Sequence, residues 1–141
     1  MQHLPKINLT HMIEVKFPGG VRVDAMVDGF TVSSDQPVKA GGTGSAPAPF
    51  ALFLASLATC AGYYVKAFCD QRELPTEGMS LTMDMEYDPV NRIMGRFIIR
   101  IRVPQEFPEK YDNGVINAAA VCAVKKHLKE SIAFDVAVER V

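Results

Sequence analysis

From Ala46 to Val65 the chain carries no charged side chain, and immediately before this run it reads Gly41-Gly42-Thr43-Gly44-Ser45. A stretch of that length is about what a helix needs to cross a bilayer. Several features argue against a membrane span. The run opens with Pro47 and Pro49, mixes Ala, Ser, Thr and Gly with Leu and Phe, and lies between strand-like segments without a positively charged loop bias. The expectation is a soluble central helix, apolar on all sides, covered by a sheet or by a partner helix. It opens near Pro47 or Pro49, with Ser45 or a neighbour as its cap, and ends near Leu74 because Pro75 follows. Lys66, Asp70, Arg72 and Glu73 give its second half a wet face, so its N-terminal half should be the buried one.

The segments around this helix alternate with a period of two. Met12–Phe17, Val21–Val27 and Phe30–Ser33 read as three strands, separated by Pro18-Gly19-Gly20 and by Asp28-Gly29, a strong hairpin signal. Leu81–Tyr87 and Phe97–Val103 read as a second hairpin, turning at Asp88-Pro89-Val90-Asn91. Residues 115–131 form a second helix with small and apolar residues at Ile116, Ala119, Ala120, Ala123 and Val124, and with lysines gathered in its last turns, where they suit the helix dipole. Phe134–Glu139 reads as a final strand. The fold class expected is α+β in the order βββ-α-ββ-α-β. The 141 residues suit a single domain over residues 1–141, with residues 1–10 as an N-terminal arm.

A formal net charge of -1 gives no broad attraction to nucleic acid or anionic lipid, so neither a nucleic acid nor a membrane is an expected partner. Three cysteines are too few for a disulfide framework. With no signal peptide at Met1–Pro5, the expected localisation is the reducing cytoplasm. No two cysteines or histidines have the short spacing of a zinc site, and His3, His11 and His127 are scattered, so neither metal nor cofactor is expected.

Cys60 lies in the first helix and Cys122 near the middle of the second, each among small residues that allow helices to approach closely. Taken alone, either thiol reads as core packing, since free cysteine is among the most buried residue types. Cys69 falls nine residues after Cys60, on the opposite face at about 100° per residue, and reads as structural. A reactive Cys60 would need a nearby cation to stabilise its thiolate, because it sits too far along the helix for the N-terminal dipole to help. Arg22, between Val21 and Val23, and Arg96, Arg100 and Arg102 are the strand arginines available, although each alone reads as an outward-facing charge.

The Gly-rich loop, Pro49, the apolar run ending in Cys60, the tail Asp70-Gln71-Arg72-Glu73-Leu74, the Met-rich strand and Ala-Val-Cys-Ala-Val at 120–124 together resemble the OsmC/Ohr family, in its OsmC-like branch. The resemblance runs from about Ile13 to Val141. It implies an intertwined homodimer with antiparallel strands wrapped around two long central helices and with active sites at the subunit interface. It also implies a thiol peroxidase with Cys60 as peroxidatic thiolate, Cys122 as resolving thiol and Arg22 as the activating arginine, using an organic hydroperoxide and a dithiol reductant. Phe50, Phe53, Leu54 and Leu57 would form the apolar substrate wall. Family peroxidases carry a glutamate directly after the proline that opens the cysteine helix, and this chain has Phe50 there. A non-enzymatic member binding an apolar small molecule at the dimer interface, or a cysteine redox sensor, is the alternative on the same fold.

Overall fold

The computed structural model describes residues 12–121, 124, 128 and 132–140. The arm expected over residues 1–10, Cys122 and His127 lie outside the described residues. Contacts divide the chain into two units, residues 1–53 with 131–141, and residues 54–130.

In the first unit β1 (Glu14–Gly19), β2 (Arg22–Val27) and β3 (Phe30–Ser34) form an antiparallel meander with β2 in the middle. The Asp28-Gly29 turn takes φ of 49° and 83°, two successive left-handed residues whose twist matches that of the flanking strands. β3 ends at the buried Ser34, whose hydroxyl donates a 2.6 Å hydrogen bond to the Val23 carbonyl.

Helix α1 (Pro49–Gln71) opens on a proline whose missing N–H would have had no partner in the first turn. It stops three residues before the expected end. Glu73 adopts a left-handed φ of 54°, and the N–H groups of Glu73 and Leu74 donate to the carbonyls of Asp70 (3.2 Å) and Cys69 (2.9 Å). Two such reverse bonds around one left-handed residue close a helix, so this geometry acts before Pro75 is reached.

In the second unit β4 (Ser80–Asp88) and β5 (Ile93–Arg102) pair as an antiparallel hairpin, with a register irregularity between Glu86 and Tyr87. The Asp88 carboxylate ties its turn by accepting from the N–H groups of Val90 and Asn91 and from the Asn91 side chain. Helix α2 (Asp112–Ala120) follows, shorter among the described residues than the helix expected over 115–131. The core of this unit joins Ala61, Val65 and Cys69 of α1 to Val115 and Ala119 of α2 and to Phe107, with Leu81, Ile99 and Ile101 of the hairpin packed against it. α2 can approach α1 closely because position 114 is glycine, where a Cβ would overlap the Phe68 ring.

Two expectations are corrected. Burial in α1 follows a stripe, Leu57, Ala61, Val65 and Cys69, that runs on to the C-terminal end, while Phe50, Ala51, Ala55, Ser56 and Thr59 are exposed. Among the described residues, the hairpin and α2 pack against that stripe and leave the N-terminal turns of α1 largely uncovered. Residues 132–140 carry no regular structure, so the strand expected at Phe134–Glu139 is absent from the observed elements. A strand needs a neighbouring ladder for its backbone groups, and here the alternating Phe134, Val136 and Val138 remain exposed.

Glu73 is a direct test of the helix end. A side chain in the left-handed region costs roughly 1–2 kcal/mol, and the added freedom of glycine in the unfolded chain returns roughly 0.4–1 kcal/mol of that. Glu73→Gly is therefore expected to raise stability by about 0.5–1 kcal/mol in urea or thermal melts.

Candidate functional site

The loop before α1 is organised by one carboxylate. Asp35 is 1% exposed. Its Oδ1 accepts the Gln36 N–H at 2.7 Å, and its Oδ2 accepts the N–H and hydroxyl of Thr43 (3.2 and 2.7 Å) and the N–H and hydroxyl of Ser45 (3.1 and 2.7 Å). The Thr43 and Ser45 hydroxyls, followed by the N–H groups of Gln36 and Ser45, hold the carboxyl far below the usual carboxylate range. The Asp35 N–H donates in turn to the Pro47 carbonyl at 3.2 Å, which ties the end of β3 to the residue two before α1. The chain closes around this anion only with a glycine at position 42, where a Cβ would overlap the Gln36 carbonyl. Asp35 escaped the sequence reading because it stands among loop residues. The signal present was an acid followed at eight and ten residues by Thr43 and Ser45.

Of the expected site residues, Phe50 and Phe53 lie together at the start of α1, stacked at 5.8 Å between centroids with Phe50 51% exposed. Arg22, at the start of β2, is half-exposed and pairs with Asp24 at 3.8 Å. These residues belong to the first unit. In the second, Leu54 and Cys60 are half-buried and Leu57 is buried. Along α1, Phe50, Phe53, Leu57 and Cys60 recur at steps of three and four residues, so helical periodicity sets them on one stripe.

The two described cysteines differ sharply. Cys69 is fully enclosed in the core, where burial pushes its thiol pKa up and Asp70 adds to the effect, against the smaller pull of Lys66 and Arg72. Cys60 keeps access to the surface. The opposite-face placement read from the nine-residue spacing thus separates an enclosed thiol from an accessible one. Cys122 lies outside the described residues.

An open groove of about 670 Å³ runs between β5 and α2, floored by Ile99, Ile101, Val115 and Ala119 and rimmed by Arg100 and Arg102. A smaller hollow of about 270 Å³ adjoins Val65, Met79 and Leu81. Neither is lined by Phe50, Phe53, Leu54 or Leu57.

The model of the OsmC-like protein family matches residues 42–137, more than half of the chain. The chain belongs to the OsmC-like family. The matched region contains the loop beyond Asp35, all of α1 with Cys60, the β4–β5 hairpin and α2. Solved structures share the α+β fold. An osmotic stress induced and detoxification response protein of Psychrobacter arcticus 273-4 is 24% identical with a TM-score of 0.69, over 82% of this chain and 86% of that one. An organic hydroperoxide resistance protein OsmC of Legionella pneumophila is 17% identical with a TM-score of 0.53, over 88% and 92% of the two chains. An organic hydroperoxide resistance protein of Elizabethkingia anophelis is 16% identical with a TM-score of 0.56, over 88% and 91%. At these identities the likeness is one of fold. No curated protein matches the chain.

The Asp35 carboxyl is depressed in the folded protein relative to about 3.9 in an unfolded chain. Its contribution to the stability of this OsmC-like protein is therefore complete above about pH 4 and lost as the pH falls through the folded value. Asp35→Asn should melt at a lower temperature than the parent at pH 7, and the difference should narrow steadily between pH 4 and pH 2.5. A constant difference across that range would mean that the ionised carboxylate is not what holds the loop.

Proposed function

We propose that this OsmC-like protein is a thiol-dependent peroxidase that reduces organic hydroperoxides through Cys60 and Cys122, as a homodimer in the cytoplasm. The observation that carries the reading is Cys60: a half-buried thiol on the apolar Phe50–Phe53–Leu57 stripe of α1, in the same helix as a Cys69 whose enclosure keeps it inert. Family membership and neighbours named as organic hydroperoxide resistance proteins support it.

In the proposed cycle the Cys60 thiolate attacks the distal peroxide oxygen. The O–O bond breaks, the alkoxide leaves with a proton as an alcohol, and Cys60 becomes a sulfenic acid. The Cys122 thiol displaces hydroxide from that sulfur, which leaves as water and yields a Cys60–Cys122 disulfide. A dithiol reductant exchanges with the disulfide, restoring both thiols and leaving as its own disulfide. Arg22 supplies the cation that favours the Cys60 thiolate, and the apolar stripe favours an organic hydroperoxide over hydrogen peroxide.

The dimer is supported by apolar side chains that one chain leaves uncovered. Phe17, Phe30, Phe134, Val136 and Val138 are 81, 73, 84, 91 and 81% exposed. So many exposed large apolar groups mark a surface that meets a partner, and light scattering is expected to give twice the chain mass.

Intact mass after one equivalent of an organic hydroperoxide tests the chemistry. The expected product is two mass units lighter than the dithiol, a disulfide loss absent in Cys60→Ser. A disulfide that forms no faster than an exposed model thiol reacts would end the peroxidase reading.

Phe50 favours a second reading, in which the same fold binds an apolar small molecule without turnover. It is aromatic, half-exposed and stacked on Phe53 at the position where family peroxidases carry a glutamate. Phe50→Glu separates the two. As a peroxidase the variant should react roughly tenfold faster, the effect of about one pKa unit, because the glutamate would orient the activating arginine. As a binder it should lose affinity for apolar ligands and gain no turnover.

A further inference from the structure

The β4–β5 hairpin has two unlike faces. Residues opposite one another in an antiparallel ladder share a face, so Leu81, Met83 and Met85 stand with Ile101, Ile99 and Phe97, while Ser80, Thr82 and Glu86 stand with Arg102, Arg100 and Arg96. Among the described residues this sheet has two strands, which leaves the outer edge of each without a neighbour. The two edges differ in sign. β4 offers Asp84 and Glu86 on its polar face, and β5 offers Arg96, Arg100 and Arg102. Asp84 holds Arg100, and Glu86 lies 3.7 Å from Arg96, whereas Arg102 stands opposite Ser80 with no ion pair among the described residues. On the apolar side of β5 lies the open groove floored by Ile99, Ile101, Val115 and Ala119.

One segment has the pattern that this edge would receive. Phe134, Val136 and Val138 alternate with Asp135, Ala137 and Glu139, all six are exposed, and residues 132–140 form no ladder. Laid along β5 with like faces together, such a strand points three apolar side chains to the groove side and two carboxylates to the arginine side. Along β4 it would set Asp135 and Glu139 against Asp84 and Glu86, and like charges across a ladder are destabilising. Pairing β5 with another β5 would oppose arginines in the same way. Of the meander edges, β1 carries Glu14 and Lys16, whose signs cancel, and β3 carries no charge.

We propose that residues 134–139 of one copy add as a strand to the free edge of β5 in a second copy. Phe134, Val136 and Val138 then lie over the groove, and Asp135 and Glu139 lie beside Arg102 and Arg100. The inference rests on the homodimer reading and names the surface through which the copies join. In the single chain the segment forms no ladder although β5 is present there, so a second copy is the source of the edge. Main-chain hydrogen bonds across the joint provide affinity, and the alternate side chains provide specificity.

Light scattering over a dilution series reads the dimer dissociation constant. Val136→Asp should raise it roughly a hundredfold or more, because each dimer loses two buried valines. Val136 is exposed in the single chain, so the circular dichroism spectrum should not change. Charge reversal then identifies the edge. Asp135→Lys with Glu139→Lys in one protein, and Arg102→Glu in another, should each weaken self-association about tenfold. Mixing the two should restore the parental affinity, since a mixed dimer sets lysines against glutamate in one joint and keeps the native pairing in the other. Pairing within one chain would give no rescue on mixing. If Val136→Asp fails to fold, the charge-reversal pair decides alone. An unchanged dissociation constant in a folded Val136→Asp, or charge variants that mixing fails to rescue, would overturn the proposal and leave a dimer joined through another surface. A parent protein that scatters at the mass of one chain would end the homodimer reading, and the proposal with it.

Discussion

Helix α1 buries one stripe, and among the described residues its other faces are half-buried or exposed. Leu57, Ala61, Val65 and Cys69 recur every four residues and enter the interior of the second unit, the last three in one cluster with Val115, Ala119 and Phe107. Transfer of apolar surface from water supplies most of the driving force for folding, and in this unit every packed element touches that stripe or the residues beside it. The small side chains within it, together with Gly114 on α2, set how closely the two helices lie. The same stripe encloses Cys69 and leaves Cys60, half a turn away, with access to the surface.

The start of the helix depends on a different kind of interaction. Asp35, itself buried at the start of an exposed loop, keeps its charge by accepting five hydrogen bonds, four of them from Thr43 and Ser45. A buried carboxylate is tolerated only where it is so fully satisfied. The glycines of the loop matter because backbone must come within hydrogen-bonding distance of the anion and of itself. This small polar knot leads the chain from a three-stranded meander into the uncharged first half of α1, where the Phe50–Phe53 stack sits.

Much of this was legible in the residues. Alternation with a period of two located all five strands of the meander and the hairpin, and Asp28-Gly29 signalled the turn whose left-handed pair it forms. The placement of Cys69 opposite Cys60 followed from helical periodicity, which is local geometry. The end of α1 was less legible, because Glu73 adopts a backbone conformation that its residue type does not advertise. The burial of α1 was not legible either, since a helix apolar on every side gives periodicity nothing to detect.

The sequence by itself determined the α+β class, the order of the elements through the second helix and the presence of a thiol in the uncharged first half of α1, because these follow from local spacing and residue chemistry. Tertiary structure alone decided which stripe of α1 is enclosed and that Asp35 is the centre of the loop before it. Each of these is a matter of which groups meet across sequence distance, or of how completely a polar atom is satisfied once water is excluded. The exposed Phe134, Val136 and Val138 mark the same boundary: their alternation is written in the chain, but a strand exists only where another strand receives its hydrogen bonds.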